Sequence, residues 1–468
     1  MSVQLRSVFR VSNVNRWILV TLCLCGLTVG NARAQQQLTA EVLLKPFIEN
    51  YGPKYADVEL AIEALRAQKV DECRQHLQTA YQKNPDLPPP HIIMAQILFR
   101  AQQLQAGRAE LEQAAEKNPN DPGAFVYLGQ FGLQERRIPE AESMYKKGLE
   151  LLQGYNSNPK RKKRLLSNAY DGLALIEEQK QNWPEALTLL ERLLQNDPEN
   201  LLALTRKGRV QYKIANGDQE GEKAAFSTFI KLNQIDPEKT ARPEINMAIL
   251  YQNDGRADRA EALMNMAARK DPENIRTRMA VAKWALEAGK MPMAKQNAAA
   301  AAKVDSNALD VRLFQGLIHR IEGNDTAAIQ AFRNAHYQSP VHLGAMTQLA
   351  ILLAEGTEEQ KQQAVGFAQL AVASYRDIKQ TTGREAMSVY AWTLHRFGRS
   401  NQARRAVAQI INSKGAISPD SAYYLAQILF DVKDPVNAKK VVAQALQSQK
   451  FFVNRSKAQA LLQTIGDV

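Results

Sequence analysis

Residues 246–274 read NMAILYQNDGRADRAEALMNMAARKDPEN. The stretch predicts two short amphipathic helices, because apolar and small residues recur at helical spacing in each half. Gly255 lies between the halves, where a helix C-terminus favours a residue that tolerates positive φ. Pro272 follows the second half and ends it, because proline cannot continue a helix interior. Ala248 and Ala260 are small enough to let another helix approach closely.

The same unit recurs along the chain. Pro85 and Pro119 are 34 residues apart, and further prolines follow in similar register. Small residues also recur twelve positions apart, once in each of nine units: Ala61 and Cys73, Ala95 and Gly107, Gly129 and Ala141, Ala174 and Ala186, Ala248 and Ala260, Ala282 and Ala294, Gly316 and Ala328, Ala391 and Ala403, and Ala426 and Ala438. Helix, turn and helix with a period of about 34 residues are the signature of the tetratricopeptide repeat.

The chain resembles this TPR family over nearly its whole length after the N-terminal segment. The resemblance implies an all-α fold, an α-solenoid (right-handed superhelix) of about eleven stacked helix pairs. A last helix, predicted within residues 448–468, would cap the exposed apolar edge of the final repeat. The resemblance also implies that the first helix of each pair lines a concave groove in which a peptide or helix binds.

The N-terminal residues predict a secretory signal rather than part of the fold. Three arginines precede the apolar run 18–29, and Ala32-Arg33-Ala34 matches a signal-peptidase site. The run is too short for a comfortable membrane span. We therefore expect cleavage after Ala34 and export to the periplasm or envelope of a bacterium. The alternative is an uncleaved anchor.

Removal of residues 1–34 leaves one cysteine, Cys73, and a net charge of +8, because four arginines and no acid are lost. One thiol makes neither an internal disulfide nor a cysteine metal site. The fold must therefore be stabilised by helix stacking. The remaining basic excess weakly favours acidic partners.

The repeat register divides the chain into eight segments. They are a signal peptide (1–34), a lead-in segment (35–53), repeats one to three (54–153), a basic insertion loop (154–163), repeats four to nine (164–376), a connector (377–383), repeats ten and eleven (384–447) and the C-terminal cap (448–468). Repeat five is stretched at 216–220, which predicts a longer turn between its two helices.

Two groups of residues are candidates for binding. The basic insertion ends in Lys160, Arg161, Lys162, Lys163 and Arg164. This run falls at a predicted helix start, where the helix dipole disfavours positive charge, so it is a candidate anion-binding loop; the alternative is a solvated charge run. The second group faces the groove of repeats five to seven: Arg209, Tyr212, Arg242, Asn246, Arg276 and Lys283. Asn246 and Arg276 also match two positions of the carboxylate clamp in chaperone-binding TPR proteins, but Thr205 and Ala280 stand where that clamp has basic residues.

The sequence contains no catalytic, cofactor or metal motif. The six histidines lack the i, i+4 spacing of a helical zinc protease, and the phosphate, dinucleotide and nucleophile-elbow motifs are missing. The prediction is therefore a non-enzyme that needs no cofactor. We expect a protein–protein interaction scaffold of the cell envelope whose partner is a protein or peptide, expected to be acidic.

Two alternative functions remain open. One is a regulatory TPR subunit of a separate envelope enzyme or of a secretion or polysaccharide-export machine. The other is an RNA-binding helical array, which needs a base-reading polar pair in each repeat. Inner positions such as Leu175 and Ile249 are apolar, so nucleic acid is not the expected partner. The sequence leaves the partner's identity and the oligomeric state open.

We expect the mature chain to begin at Gln35 and to be soluble once exported, because the apolar run is short and a cleavage site follows it. N-terminal sequencing of the exported form measures this. Recovery of intact Met1 or Ser2 in salt-washed membranes would contradict cleavage.

Overall fold

A computed structural model of the protein describes residues 55–101, 103–413, 415–448 and 451–466. The predicted signal peptide and lead-in segment lie outside these described residues. The described residues form 23 helices and no strand, which confirms the all-α prediction.

The helices are, in chain order, α1 (Ala56–Arg66), α2 (Val70–Lys83), α3 (Pro90–Arg100), α4 (Leu104–Lys117), α5 (Pro122–Gln134), α6 (Ile138–Gly154), α7 (Pro159–Gln179), α8 (Trp183–Asn196), α9 (Leu201–Ala215), α10 (Gln219–Ile235), α11 (Pro243–Asn253), α12 (Ala257–Lys270), α13 (Ile275–Glu287), α14 (Met291–Val304), α15 (Leu309–Ile321), α16 (Asp325–Gln338), α17 (Leu343–Leu353), α18 (Glu358–Ser374), α19 (Thr381–Arg396), α20 (Ser400–Asn412), α21 (Pro419–Asp431), α22 (Pro435–Leu446) and α23 (Arg455–Gly466).

These helices pack in consecutive pairs and fall into two compact units. The described N-terminal unit, residues 55–260, contains the pairs α1/α2, α3/α4, α5/α6, α7/α8 and α9/α10, followed by α11 and the start of α12. The described C-terminal unit, residues 261–466, contains the rest of α12, the pairs α13/α14 to α21/α22, and α23. In both units the odd-numbered helix is the first of its pair. We call the side of the first helices that faces away from the second helices the first-helix face.

Glycine closes several of the turns between first and second helices. Gly255 has φ +75°, a left-handed conformation that favours glycine. The N–H of Arg256 donates to the carbonyl of Tyr251 at 2.8 Å, which is the 6→1 hydrogen bond of a Schellman motif. The turn therefore ends α11 at Asn253, and α12 begins at Ala257 after three residues.

Small residues allow the two helices of a pair to touch. A Cβ atom built on Gly208 would lie 2.5 Å from the ring of Phe229, and one on Gly316 would lie 2.9 Å from Phe332. Each ring belongs to the second helix of the same pair and is about 1% exposed. The small side chain on the first helix and the large one on the second therefore pack as complementary shapes.

Cys73 occupies such a slot in the first pair. Its side chain is fully buried and its Sγ lies 3.5 Å from Sδ of Met94. Burial raises the pKa of this thiol to about 11. The thiol is therefore a neutral packing group, as the sequence register indicates.

The prediction of a longer turn between the two helices of repeat five is wrong. Only residues 216–218 separate α9 from α10. Asn216 and Gly217 are both left-handed and end α9, and the Asp218 carboxylate caps α10 by accepting the N–H of Gly221 at 2.8 Å. The extra residues lengthen the two helices instead, because stop and start signals stand directly beside each other.

The last helix packs as predicted from its sequence. Ala458, Leu461 and Ile465 of α23 are buried, and the helix packs on α22 and α21. One apolar face of α23 therefore covers the end of the final pair.

We expect Ala260→Leu to lower the free energy of unfolding by about 1–3 kcal/mol, because overpacking a closed slot strains its neighbours. Ala260 is 0% exposed. Ala257→Leu is the matched control, since Ala257 is exposed in the first turn of the same helix. Urea denaturation measures both midpoints; equal shifts would mean that position 260 is not a close-approach slot.

Candidate protein-binding surfaces

The first-helix face of the N-terminal unit carries a partly exposed strip. Leu175, Arg209 and Ile249 directly follow the small residue of α7, α9 and α11, and we call them the α7–α11 strip. Leu175 is 37% exposed, the Arg209 side chain is 41% exposed and Ile249 is half-buried. Gln96 and Gln130 hold the matching positions on α3 and α5 but are only 1% and 9% exposed. The accessible part of this face therefore lies on α7, α9 and α11.

Acidic side chains balance the bases beside this strip. Arg206 is buried and donates to Glu178 at 2.7 Å and to the carboxylate of Asp171. Arg209 donates to the second oxygen of Glu178 at 3.2 Å. One carboxylate thus joins two arginines of the next first helix. The face has alternating charges rather than a continuous positive field.

The other predicted groove residues of the N-terminal unit differ in accessibility. Tyr212 is 2% exposed and its ring packs edge-on against Tyr251, so a role in binding a peptide does not fit its burial. The Arg242 Nε donates to Glu244 at 3.2 Å, and the amide of Asn246 donates to the carbonyl of Ala241 at 3.1 Å. Arg242 and Asn246 remain half-exposed and can still contact a partner.

Arg276 and Lys283 belong to the C-terminal unit. Arg276 is exposed. Lys283 is 9% exposed and donates to the carboxylate of Asp310 at 2.9 Å, which joins α13 to α15. The prediction that Lys283 is an accessible groove base therefore does not hold, because its ammonium group serves an ion pair between neighbouring repeats.

A tetratricopeptide repeat model matches residues 64–128. This range contains α2, α3 and α4 entire, and the same helix pairing continues through the described chain. Residues 64–128 are therefore similar to tetratricopeptide repeats, and the rest of the described chain has the same kind of helix pairs. No curated protein sequence matches the chain.

Solved structures with a similar arrangement are distant in sequence from this chain. The APC/C hetero-tetramer Cut9–Hcn1 is 13% identical, with 91% of this chain and 99% of that chain covered and a TM-score of 0.41. Yeast Tom70 is 13% identical, with 88% and 95% covered and a TM-score of 0.38. Pseudomonas aeruginosa pilF is 16% identical, with 46% and 95% covered and a TM-score of 0.33. At these scores the likenesses support no inference about partners.

The basic run lies in helix α7 rather than in a loop. Helix α6 extends to Gly154 and α7 begins at Pro159, so residues 160–164 form the first turns of α7. Asn158 caps this helix by accepting the N–H of Arg161 at 3.0 Å. The predicted insertion is therefore reduced to residues 155–158, because the asparagine cap starts the helix early.

Arg161 is a buried structural residue and not part of an open anion site. It is 4% exposed and makes two hydrogen bonds to the Asp121 carboxylate, at 2.7 and 2.6 Å. The Tyr155 hydroxyl accepts a third bond at 2.9 Å. Lys160 and Lys163 are exposed. The five bases therefore do not act as one group, and sequence spacing could not reveal this pair because its members are 40 residues apart.

Sequence reasoning missed a cluster in the C-terminal unit. The Tyr424 hydroxyl on α21 accepts a hydrogen bond from Arg320 on α15 at 2.6 Å, and the rings of Tyr424 and Trp392 lie 4.9 Å apart. Burial raises the pKa of Tyr424 to about 12. Burial and then the Asp420 carboxylate raise the pKa of the nearby Glu385 to about 7. Arg320, Trp392 and Asp420, all on first helices, thus lie near Tyr424 or Glu385.

The described residues contain no group of three or more histidine, cysteine, aspartate or glutamate side chains placed to hold a metal ion. Among the described helices, none has the length and apolar character needed to cross a membrane. His342 has a structural role: its Nδ1 accepts the N–H of Ala345 at 3.3 Å, and burial lowers its pKa. It caps α17 in its neutral form.

We expect Arg161→Ala to lower the free energy of unfolding by about 3–5 kcal/mol, because removing one partner of a buried ion pair leaves the other charge uncompensated. Lys163→Ala is the control within the same helical turn, since Lys163 is exposed. Chemical denaturation followed by circular dichroism compares the two. A loss of similar size in both variants would argue against a special role for the Arg161–Asp121 pair.

Proposed function

We propose that the protein is a non-catalytic protein–protein interaction scaffold of the cell envelope and that it binds its partner along the α7–α11 strip. The observation that carries this proposal is the exposure of Leu175, 37%, on the first-helix face, where the equivalent side chains of α3 and α5 are buried. An exposed leucine beside partly exposed bases combines an apolar anchor with a polar rim, as protein interfaces do.

The chemistry of the strip favours a partner segment that has both apolar and acidic side chains. Leu175 and Ile249 provide apolar surface whose burial supplies affinity. Arg209 and Arg242 are half-exposed, and a partner carboxylate can approach either of them. Because charges at an interface rim mainly set association rate and specificity, the acidic character of the partner would decide which protein binds rather than how tightly it binds.

The location in the envelope rests on the sequence of residues 1–34, whose basic start, apolar run and cleavage site are typical of export. An exported repeat array without internal disulfides suits a scaffold, since each repeat adds binding surface to its neighbours. Fold alone does not assign a pathway.

A photo-cross-linking residue at position 175 tests the binding surface in the exported protein, and position 230 is the matched control. Ile230 on second helix α10 is 39% exposed, close to the 37% of Leu175. We expect one specific cross-linked protein from position 175 and none from position 230. The identity of that protein also distinguishes a scaffold from a regulatory subunit of a separate enzyme.

Substitution of the same two residues gives the quantitative test. We expect Leu175→Asp to weaken binding of the captured partner about thirtyfold, which corresponds to about 2 kcal/mol, the size of a hot-spot contact. Ile230→Asp should leave the affinity unchanged. Equal affinities for both variants, or cross-links from both positions alike, would contradict the α7–α11 strip as the binding surface.

A further inference from the structure

A short segment near the C-terminus lies against the first helices of the C-terminal unit. We call residues 451–454, which lie between α22 and α23, the strap. Phe452 is 4% exposed and belongs to the apolar core of this unit. The N–H of Phe451 points at the carbonyl oxygen of Glu287 at the end of α13, 3.5 Å away. The strap thus reaches back across four repeats.

Asp420 on α21 holds the other end of the strap. Its two carboxylate oxygens accept the backbone N–H groups of Val453 at 3.2 Å and Asn454 at 3.0 Å. The Asn454 side-chain amide donates to Asp420 at 2.8 Å and to the Tyr424 hydroxyl at 2.9 Å. Hydrogen bonds to an ionised acceptor are stronger than neutral ones, so this carboxylate is the main polar anchor.

The side chains around this anchor come from distant repeats. Arg320 on α15 reaches Tyr424 on α21, 104 residues later in the chain. Repeats in a solenoid ordinarily contact only their neighbours, so the first-helix face of this unit brings separated repeats together at the strap. Beside Tyr424, the Trp392 Nε1–H is buried and has no hydrogen-bond partner within the part of the chain that the structure describes.

The contacts of the strap are those that an extended peptide would make. Asp420 accepts two consecutive backbone N–H groups, a mode that any peptide can use. Two side chains of the strap add sequence preference: the Phe452 ring is buried in the apolar core of the unit, and the Asn454 carboxamide donates to Asp420 and Tyr424. The face therefore recognises a three-residue sequence: an aromatic residue, any residue and then asparagine.

We propose that the first-helix face of the C-terminal unit is a second peptide-binding site, occupied by the chain's own strap, whose external ligand is an extended segment with an aromatic–any–asparagine sequence. The site goes beyond the α7–α11 strip, because it lies in the other unit and uses different contacts. A tethered segment competes at an effective concentration of about millimolar. The strap therefore lowers the apparent affinity for the external segment by reducing the fraction of open sites.

A labelled peptide with the sequence of residues 447–456 tests the proposal by fluorescence anisotropy on the full chain. Asn454→Ala removes the two carboxamide bonds of the strap, and we expect it to bind the peptide at least tenfold more tightly than the wild type. Asn401→Ala, the same change at an exposed position on second helix α20, should bind like the wild type. The double variant Asn454→Ala, Asp420→Asn should lose this increase in peptide affinity. A second peptide, in which alanine replaces both the second phenylalanine and the asparagine, should not bind. Equal peptide affinities for wild type and Asn454→Ala would overturn the proposal.

Hydrogen exchange on the wild-type chain keeps the test decisive if the variant folds poorly. Excess peptide should speed exchange of the Val453 and Asn454 amides, while amides within α22 stay slow. Unchanged exchange at saturating peptide would overturn the proposal. Concentration-dependent dimerisation of Asn454→Ala without peptide binding would assign the site to a second copy of the chain and also overturn it. Both readouts are independent of cross-linking at position 175, so failure of one proposal leaves the other intact.

Discussion

Close approach between the two helices of each pair is the contact on which the rest of the structure depends. A glycine such as Gly208 receives the ring of Phe229, and a Cβ atom at that place would stand 2.5 Å from the ring. A densely packed interior tolerates the addition of a side-chain atom poorly. The same contact of a first-helix glycine with a second-helix ring joins α5 to α6 and α15 to α16. Both candidate binding faces depend on these contacts between paired helices.

Ion pairs between neighbouring repeats decide which charges remain accessible. Arg161 with Asp121 and Lys283 with Asp310 each join one first helix to the next. Glu178 joins two arginines of α9 in the same way. The net basic charge of the chain therefore does not produce a uniformly basic face, and specificity depends on the few half-exposed bases. Desolvated pairs of this kind contribute little net stability but strongly penalise the loss of one partner.

The two units use their first helices differently. In the N-terminal unit the α7–α11 strip leaves Leu175 exposed, 37%. In the C-terminal unit Trp392 and Tyr424 are 5% and 3% exposed, and the strap packs beside Tyr424 through Asn454. The α7–α11 strip can bind a partner directly, whereas the first-helix face of the C-terminal unit must first release the strap. A single repeat type thus provides surfaces with different requirements for binding.

The sequence by itself determined the helix pairs, their register and the packing role of Ala260 and Cys73. These features repeat with a local period, and helix periodicity, turn glycines and helix-start prolines act within a few residues of one another. Tertiary structure alone decided that Arg161, Tyr212 and Lys283 are buried, that the strap meets Asp420, and that Arg320 reaches Tyr424. Such contacts join residues 27 to 104 positions apart, and a single sequence gives no signal for pairing at those separations. The spacing of small residues therefore predicts where helices touch, but only the folded chain determines which charged and aromatic side chains are buried by that contact.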